Sequence, residues 1–151
     1  MNIKQKTQFI SDTLEELYGI PEREDENSES ELDCLMLTIL SQNTNDVNRD
    51  KGFASLKERF PMWEDVLEAD VKEIGDAIRS AGLHGQKSQT IKNFLTWLKA
   101  ERGALDLEFI CEMETDEAVK LLCQHKGIGI KTVSVTLAFA CGREIFPVDT
   151  H

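Results

Sequence analysis

The sequence predicts an all-α protein of about eight helices in a bundle or barrel. Apolar residues recur at three- and four-residue spacing along nearly the whole chain. No segment alternates like a strand for long, and the one extended candidate, Ile145-Phe146-Pro147-Val148, carries a proline that argues against a paired central strand. Capping and breaking residues recur between the periodic segments.

The first helix is expected over 3–18, with Phe9, Ile10, Leu14, Leu17 and Tyr18 on one stripe. Residues 19–29 read as an acidic loop. Ser28 and Glu31 have capping-box spacing ahead of a second helix with the apolar core Cys34 to Leu40. Ser41-Gln42-Asn43-Thr44 is a polar break. A third helix runs to Phe60, where Pro61 ends it. Asp70 and Glu73 open the next, which stops near Gly82. The link 83–87 leads into an amphipathic helix with Ile91, Phe94, Leu95 and Leu98 inward. Thr115 is expected to cap a helix holding Val119, Leu122 and Cys123. Gly127-Ile128-Gly129 then turns into a last helix over 130–141, closed by Gly142.

The chain has 151 residues, of which 40% are hydrophobic, enough for one domain with a real core. No apolar run approaches the ~18 residues of a membrane span. The N-terminus has no apolar signal region, so a cytoplasmic protein is expected, nucleoid-associated if prokaryotic. Cys34, Cys111, Cys123 and Cys141 lie too far apart for a close metal-ligand pattern and read as buried, reduced thiols; no metal site is expected. The net charge of −11 argues against a nucleic-acid partner taken whole. Its distribution argues otherwise. Arg79, Lys87, Lys92 and Lys99 lie in a window without acids, as do Lys120, Lys126, Lys131 and Arg143. A positive face on an acidic protein is the expectation, since the local field steers a ligand.

The chemistry concentrates between Lys126 and His151. Glycines at 127 and 129 let the backbone turn sharply and let a phosphate approach without a Cβ in the way. The amides of the following helix would point at that anion, with Lys126 adding charge. Such a unit grips the backbone without reading sequence. A structural turn explains the glycines as well. Lys131 stands on the first turn of the helix, where the dipole and partial burial would favour a neutral amine, the form that attacks carbon; a solvated lysine or a second phosphate contact is the plainer reading. Asp149 reads as an N-cap, or as a carboxylate that stabilises positive charge on a sugar or takes the lysine's proton.

Together GIGIKT at 127–132 and PVDTH at 147–151 make the chain resemble the helix-hairpin-helix DNA glycosylase superfamily, specifically its endonuclease III branch. Leu40-Ser41-Gln42-Asn43-Thr44-Asn45-Asp46 and Gly82-Leu83-His84-Gly85-Gln86-Lys87 are similar to two further family segments. The likeness covers about 30–151 and implies the hairpin at about 115–142. It implies excision of damaged bases, oxidised pyrimidines foremost, from double-stranded DNA. The nucleotide is flipped out because its C1′ is unreachable inside the stack. Lys131 would attack C1′ and form a Schiff base, and β-elimination would nick the strand, giving glycosylase and abasic-site lyase activity. Asp149 would take the family's carboxylate role. Gln42 or Asn43 would fill the gap in the DNA. His84 and Lys87 would lie near the duplex, along with Lys126, Gly127, Ile128 and Gly129.

The chain departs from the family in two ways. Lys126 stands where a proline is usual. The family's chain also continues past the aspartate with the helix that it caps, and many members end in four cysteines around a [4Fe–4S] cluster. The resemblance therefore implies a chain truncated at its C-terminus, without a cofactor of its own, the cluster belonging to a full-length version. Residues 1–22 would form an N-terminal helix that packs on the absent part, and 23–151 the helical barrel. An unpartnered first helix invites a dimer or a domain swap. Alternatives to the enzyme are a non-catalytic hairpin module that only grips DNA, an inactive fragment, and an acidic adaptor that binds protein.

Overall fold

The computed structural model describes residues 1–20 and 29–148. Among them are eight α-helices and no strand. Helix α1 spans Ile3–Tyr18. Asn2 caps it, accepting from the Gln5 amide at 2.9 Å, and Gly19 ends it at a φ of 74°. α2 is Glu31–Leu40, α3 Asp46–Arg59, α4 Trp63–Glu68 and α5 Val71–Ala77. A 3-10 turn at Arg79–Ala81 leads to α6, His84–Arg102, the longest helix described. A second 3-10 turn, Glu108–Cys111, precedes α7 (Thr115–Cys123) and α8 (Ile130–Ala140).

The helices form because each can bury one face. α2 is apolar on almost every side, and Leu32, Leu35, Met36, Ile39 and Leu40 are all buried. A helix that is apolar all round belongs in the middle of a bundle. α8 packs along it through Val133 and Leu137, and α3 and α6 also touch it. α6 buries Ile91, Phe94, Leu95 and Leu98, the stripe read from sequence, against α4 and α5. Truncating Phe94, which is wholly buried, is expected to cost ~3–5 kcal/mol because little can collapse into the space. Trp63 ties α4 to α2 by donating its indole N–H to Asp33 at 2.8 Å.

Several local expectations change. The N-cap of α2 is Ser30, whose hydroxyl accepts from the Asp33 amide at 3.1 Å; Ser28 lies outside the described residues. α4 has only six residues, too short to show a period, and was not legible in sequence. The segment 83–87 is the start of α6 rather than a link. Thr115 is the first residue of α7, and Glu114 holds the cap position. At α5 the Glu73 carboxylate accepts from the Asp70 amide at 3.0 Å. The cysteines also differ. Cys111 and Cys141 are joined in a disulfide that ties the 3-10 turn before α7 to the end of α8, and Cys34 and Cys123 are half-buried. The separation of 30 residues hid the pair from a reading by local spacing.

No residue of α1 is buried, and Phe9, Ile10, Leu14, Leu17 and Tyr18 are all exposed. Among the described residues, no helix is long and apolar enough to cross a membrane.

Candidate active site and nucleic-acid interface

α7, α8 and the turn between them form the helix-hairpin-helix unit, and its tip is held from three sides. Ile128 is buried to 3% exposure, so its side chain anchors the turn and only its backbone can face a ligand. Thr90 of α6 donates its hydroxyl to the Lys126 carbonyl at 3.4 Å. Gln42, in the turn after α2, donates its side-chain amide to the Gly127 carbonyl at 3.0 Å and to the Thr132 hydroxyl at 3.4 Å. Two carbonyls of the tip are thereby turned toward the protein.

The two glycines answer different demands. Gly127 has a φ of 91°, and a Cβ there would lie 2.3 Å from the Thr90 hydroxyl. Packing and backbone conformation both require glycine. Gly129, the N-cap of α8, has an ordinary φ of −96° and nothing within 4 Å of the place a Cβ would take. Its openness leaves room for an anion at the start of α8, where unpaired helix amides and the dipole favour one.

Lys131 lies on the first turn of α8 and lines a cleft of about 690 Å³ with Gln42, Asn43, Gly127, Gly129 and Thr132. It is exposed, as the solvated reading has it. A second cavity of about 630 Å³, between α2, α3 and α8, also includes Lys131, with Cys34, Arg49, Phe53 and Phe139 on its walls. Arg49, which lines both, is engaged by Asp46 at 3.0 Å and Asp50 at 2.8 Å. Asp149 lies outside the described residues.

Gln42 and Asn43 point to different surroundings. Gln42 is half-buried and bound to the hairpin, whereas Asn43 is exposed, with a left-handed φ of 52°. Asparagine is among the few residues that tolerate that conformation. Leu83, at a φ of 45° before α6, is likewise exposed, at 45%. It lines a groove of about 500 Å³ with Gln86, Gln89, Asn93, Lys126 and Gly127. Leu83, Gln86, Gln89 and Asn93 were missed in sequence. The polar set at 86, 89 and 93 follows helical spacing, and that signal could have found it.

His84 and Lys87 fare differently from expectation. His84 is half-buried at the start of α6, beside Gly75 of α5. Lys87 is 2% exposed, and its ammonium donates to the carbonyls of Leu40 at 2.8 Å and Ala81 at 2.7 Å. It ties the end of α2 to the 3-10 turn and does not reach out to DNA; burial pushes its pKa below the ordinary lysine value. Lys92 donates to the Leu67 and Ala69 carbonyls, and Arg143 to the Cys111 and Met113 carbonyls. The acid-free windows are thus partly internal. Carbonyls left over at chain turns consume three of their cations, and Lys126 and Lys131 remain exposed at the hairpin.

The described residues hold no group of three or more histidines, cysteines or acids that could bind a metal ion. With Cys111 and Cys141 bonded to each other, the described residues do not fit a four-cysteine cluster. His125, between α7 and the hairpin tip, packs at a tilt 4.4 Å from Trp97 and meets Phe94 edge-on at 5.2 Å. Burial lowers its pKa.

The model of the HhH-GPD superfamily base excision DNA repair protein family matches residues 36–151. The chain belongs to the HhH-GPD superfamily. Among its relatives, the "Putative DNA glycosylase" of Arabidopsis thaliana is 48% identical over 123 residues, 82% of this chain and 42% of that protein. Endonuclease III of Sulfolobus acidocaldarius is 36% identical over 121 residues, 78% of this chain and 51% of that enzyme. A solved structure of a non-covalent endonuclease III–DNA complex matches the fold with a TM-score of 0.72 and 23% identity, covering all of this chain and 66% of that one. The chain therefore spans about half or less of these curated relatives' length. The HhH-GPD unit accounts for the hairpin and for the bundle that supports it.

Proposed function

We propose that this HhH-GPD chain carries the DNA-gripping and nucleophilic part of a base-excision glycosylase with abasic-site lyase activity. The observation that carries the proposal is the convergence, on one cleft, of Lys131 with the open Gly129 start of α8 and the polar loop at Gln42 and Asn43. An anion bound at that helix start would bring a DNA backbone within reach of the amine on the same turn. Asn43 and Leu83, both exposed on loops beside the hairpin, are the groups suited to enter the gap and to wedge the base stack.

The chemistry asks for one nucleophile. The Lys131 amine attacks C1′ of the flipped nucleotide, the glycosidic bond breaks, and the base departs with the bonding pair and a proton. Loss of the amine proton and opening of the C1′–O4′ bond leave an imine. Removal of a C2′ proton then expels the 3′ phosphate. Asp149 would supply the carboxylate that stabilises charge at C1′ or receives the amine proton. An oxidised pyrimidine is the substrate class we propose, as in the endonuclease III branch that the chain resembles.

Incision of duplexes holding an abasic site or an oxidised pyrimidine tests the proposal. Strand nicking that is lost in Lys131→Gln, with duplex affinity kept within about threefold, is expected. Salt-sensitive duplex binding without any nicking would favour a module that only grips DNA.

A further inference from the structure

We infer that Gln42 is a positioning residue that locks the α2–α3 loop to the hairpin and sets the first turn of α8 for DNA. The inference rests on the proposed DNA-facing role of that hairpin. Both hydrogens of the Gln42 amide are engaged, one by the Gly127 carbonyl and one by the Thr132 hydroxyl, across 85 and 90 residues of sequence. Thr132 is 5% exposed and directly follows Lys131. The tie therefore acts on the turn that carries the lysine. Its other end is the loop in which Asn43 adopts its left-handed conformation, which sends Gln42 inward and Asn43 outward. One loop thus supplies an inner clamp and an outer probe. Glutamine has the length for this clamp. Asparagine, shorter by one methylene or about 1.5 Å, could not hold both partners from the same backbone position.

A neutral side chain that only filled space would be replaceable by an apolar one of equal length. Gln42→Met makes that replacement, and Gln42→Glu sets a carboxylate against the Gly127 carbonyl. Two readouts are needed. The first is hydrogen exchange in the free protein at the Ile128 and Val133 amides, which bond to the His125 and Gly129 carbonyls at the two ends of the turn. The second is affinity for a duplex containing a stable abasic-site analogue, measured over a range of salt. Loss of a typical hydrogen bond should speed exchange at these amides and weaken DNA binding by about three- to tenfold each in Gln42→Met, and by more in Gln42→Glu. The salt slope should be unchanged, because no phosphate-neutralising charge has been removed. Asn43→Ala should leave the exchange as it is. Should Gln42→Met fail to fold, Gln42→Asn takes its place with the same expected direction. Exchange at the hairpin unchanged in the variants, or altered exchange with unaltered affinity, would overturn the positioning role. A wild-type protein that binds no duplex would instead sink the proposed function, and the exchange measurement would still decide whether Gln42 holds the hairpin.

Discussion

Lys87 and Lys131 each stand a few residues after a glycine turn, yet the structure uses them in opposite ways. Lys87 is folded inward onto two carbonyls that the ends of α2 and the 3-10 turn leave without partners. Lys131 stays exposed on the cleft. Replacing Lys87 with methionine keeps the volume and removes both bonds. The expected loss is ~1–3 kcal/mol of stability, measurable by urea unfolding, with little change in the salt slope of DNA binding. A slope reduced by about one unit would instead return Lys87 to the DNA face. Sequence could not separate the two lysines. Both sit in acid-free stretches, and the deciding partners of Lys87 include Leu40, 47 residues away. The spacing of Lys131 from the glycines was legible because it is local, whereas the pairing of Gln42 with Thr132 was not.

At the scale of the element, the hairpin was the most legible part of the chain, since a glycine turn between two amphipathic helices is written in adjacent residues. What sequence did not distinguish is why each glycine is there. Gly127→Ala would drive a methyl into Thr90 on a backbone at positive φ, and a loss of ~2 kcal/mol or more is expected from the two effects together. Gly129→Ala meets open space at an ordinary φ and should leave the unfolding midpoint within about 2 °C of wild type. Its methyl would nevertheless stand where an anion approaches, so duplex affinity should fall several-fold. Equal stability losses in the two variants would contradict the division of roles drawn from the turn. The short α4 and the 3-10 turns were illegible for a different reason: they are shorter than the two helical periods needed to show a stripe.

For the whole molecule, a bundle centred on α2 supports the edge proposed to face DNA on a protein that is strongly acidic overall. The all-α class followed from periodicity, and the apolar run of α2 was legible, though not its place at the centre. The distribution of positive charge did not, because Lys87, Lys92 and Arg143 bond to backbone carbonyls. α1 stands outside the core, and none of its residues is buried. Removing residues 1–20 should therefore shift the unfolding midpoint by less than about 3 °C, as read by thermal circular dichroism; a larger fall would mean that α1 is covered in solution, by a second copy or another segment. The most direct test of the central claim is borohydride reduction of the protein on duplex DNA with an abasic site, followed by peptide mapping. A covalent adduct at Lys131, absent in Lys131→Gln, is the expected result; an adduct that persists in Lys131→Gln, or none with the wild type, would contradict it.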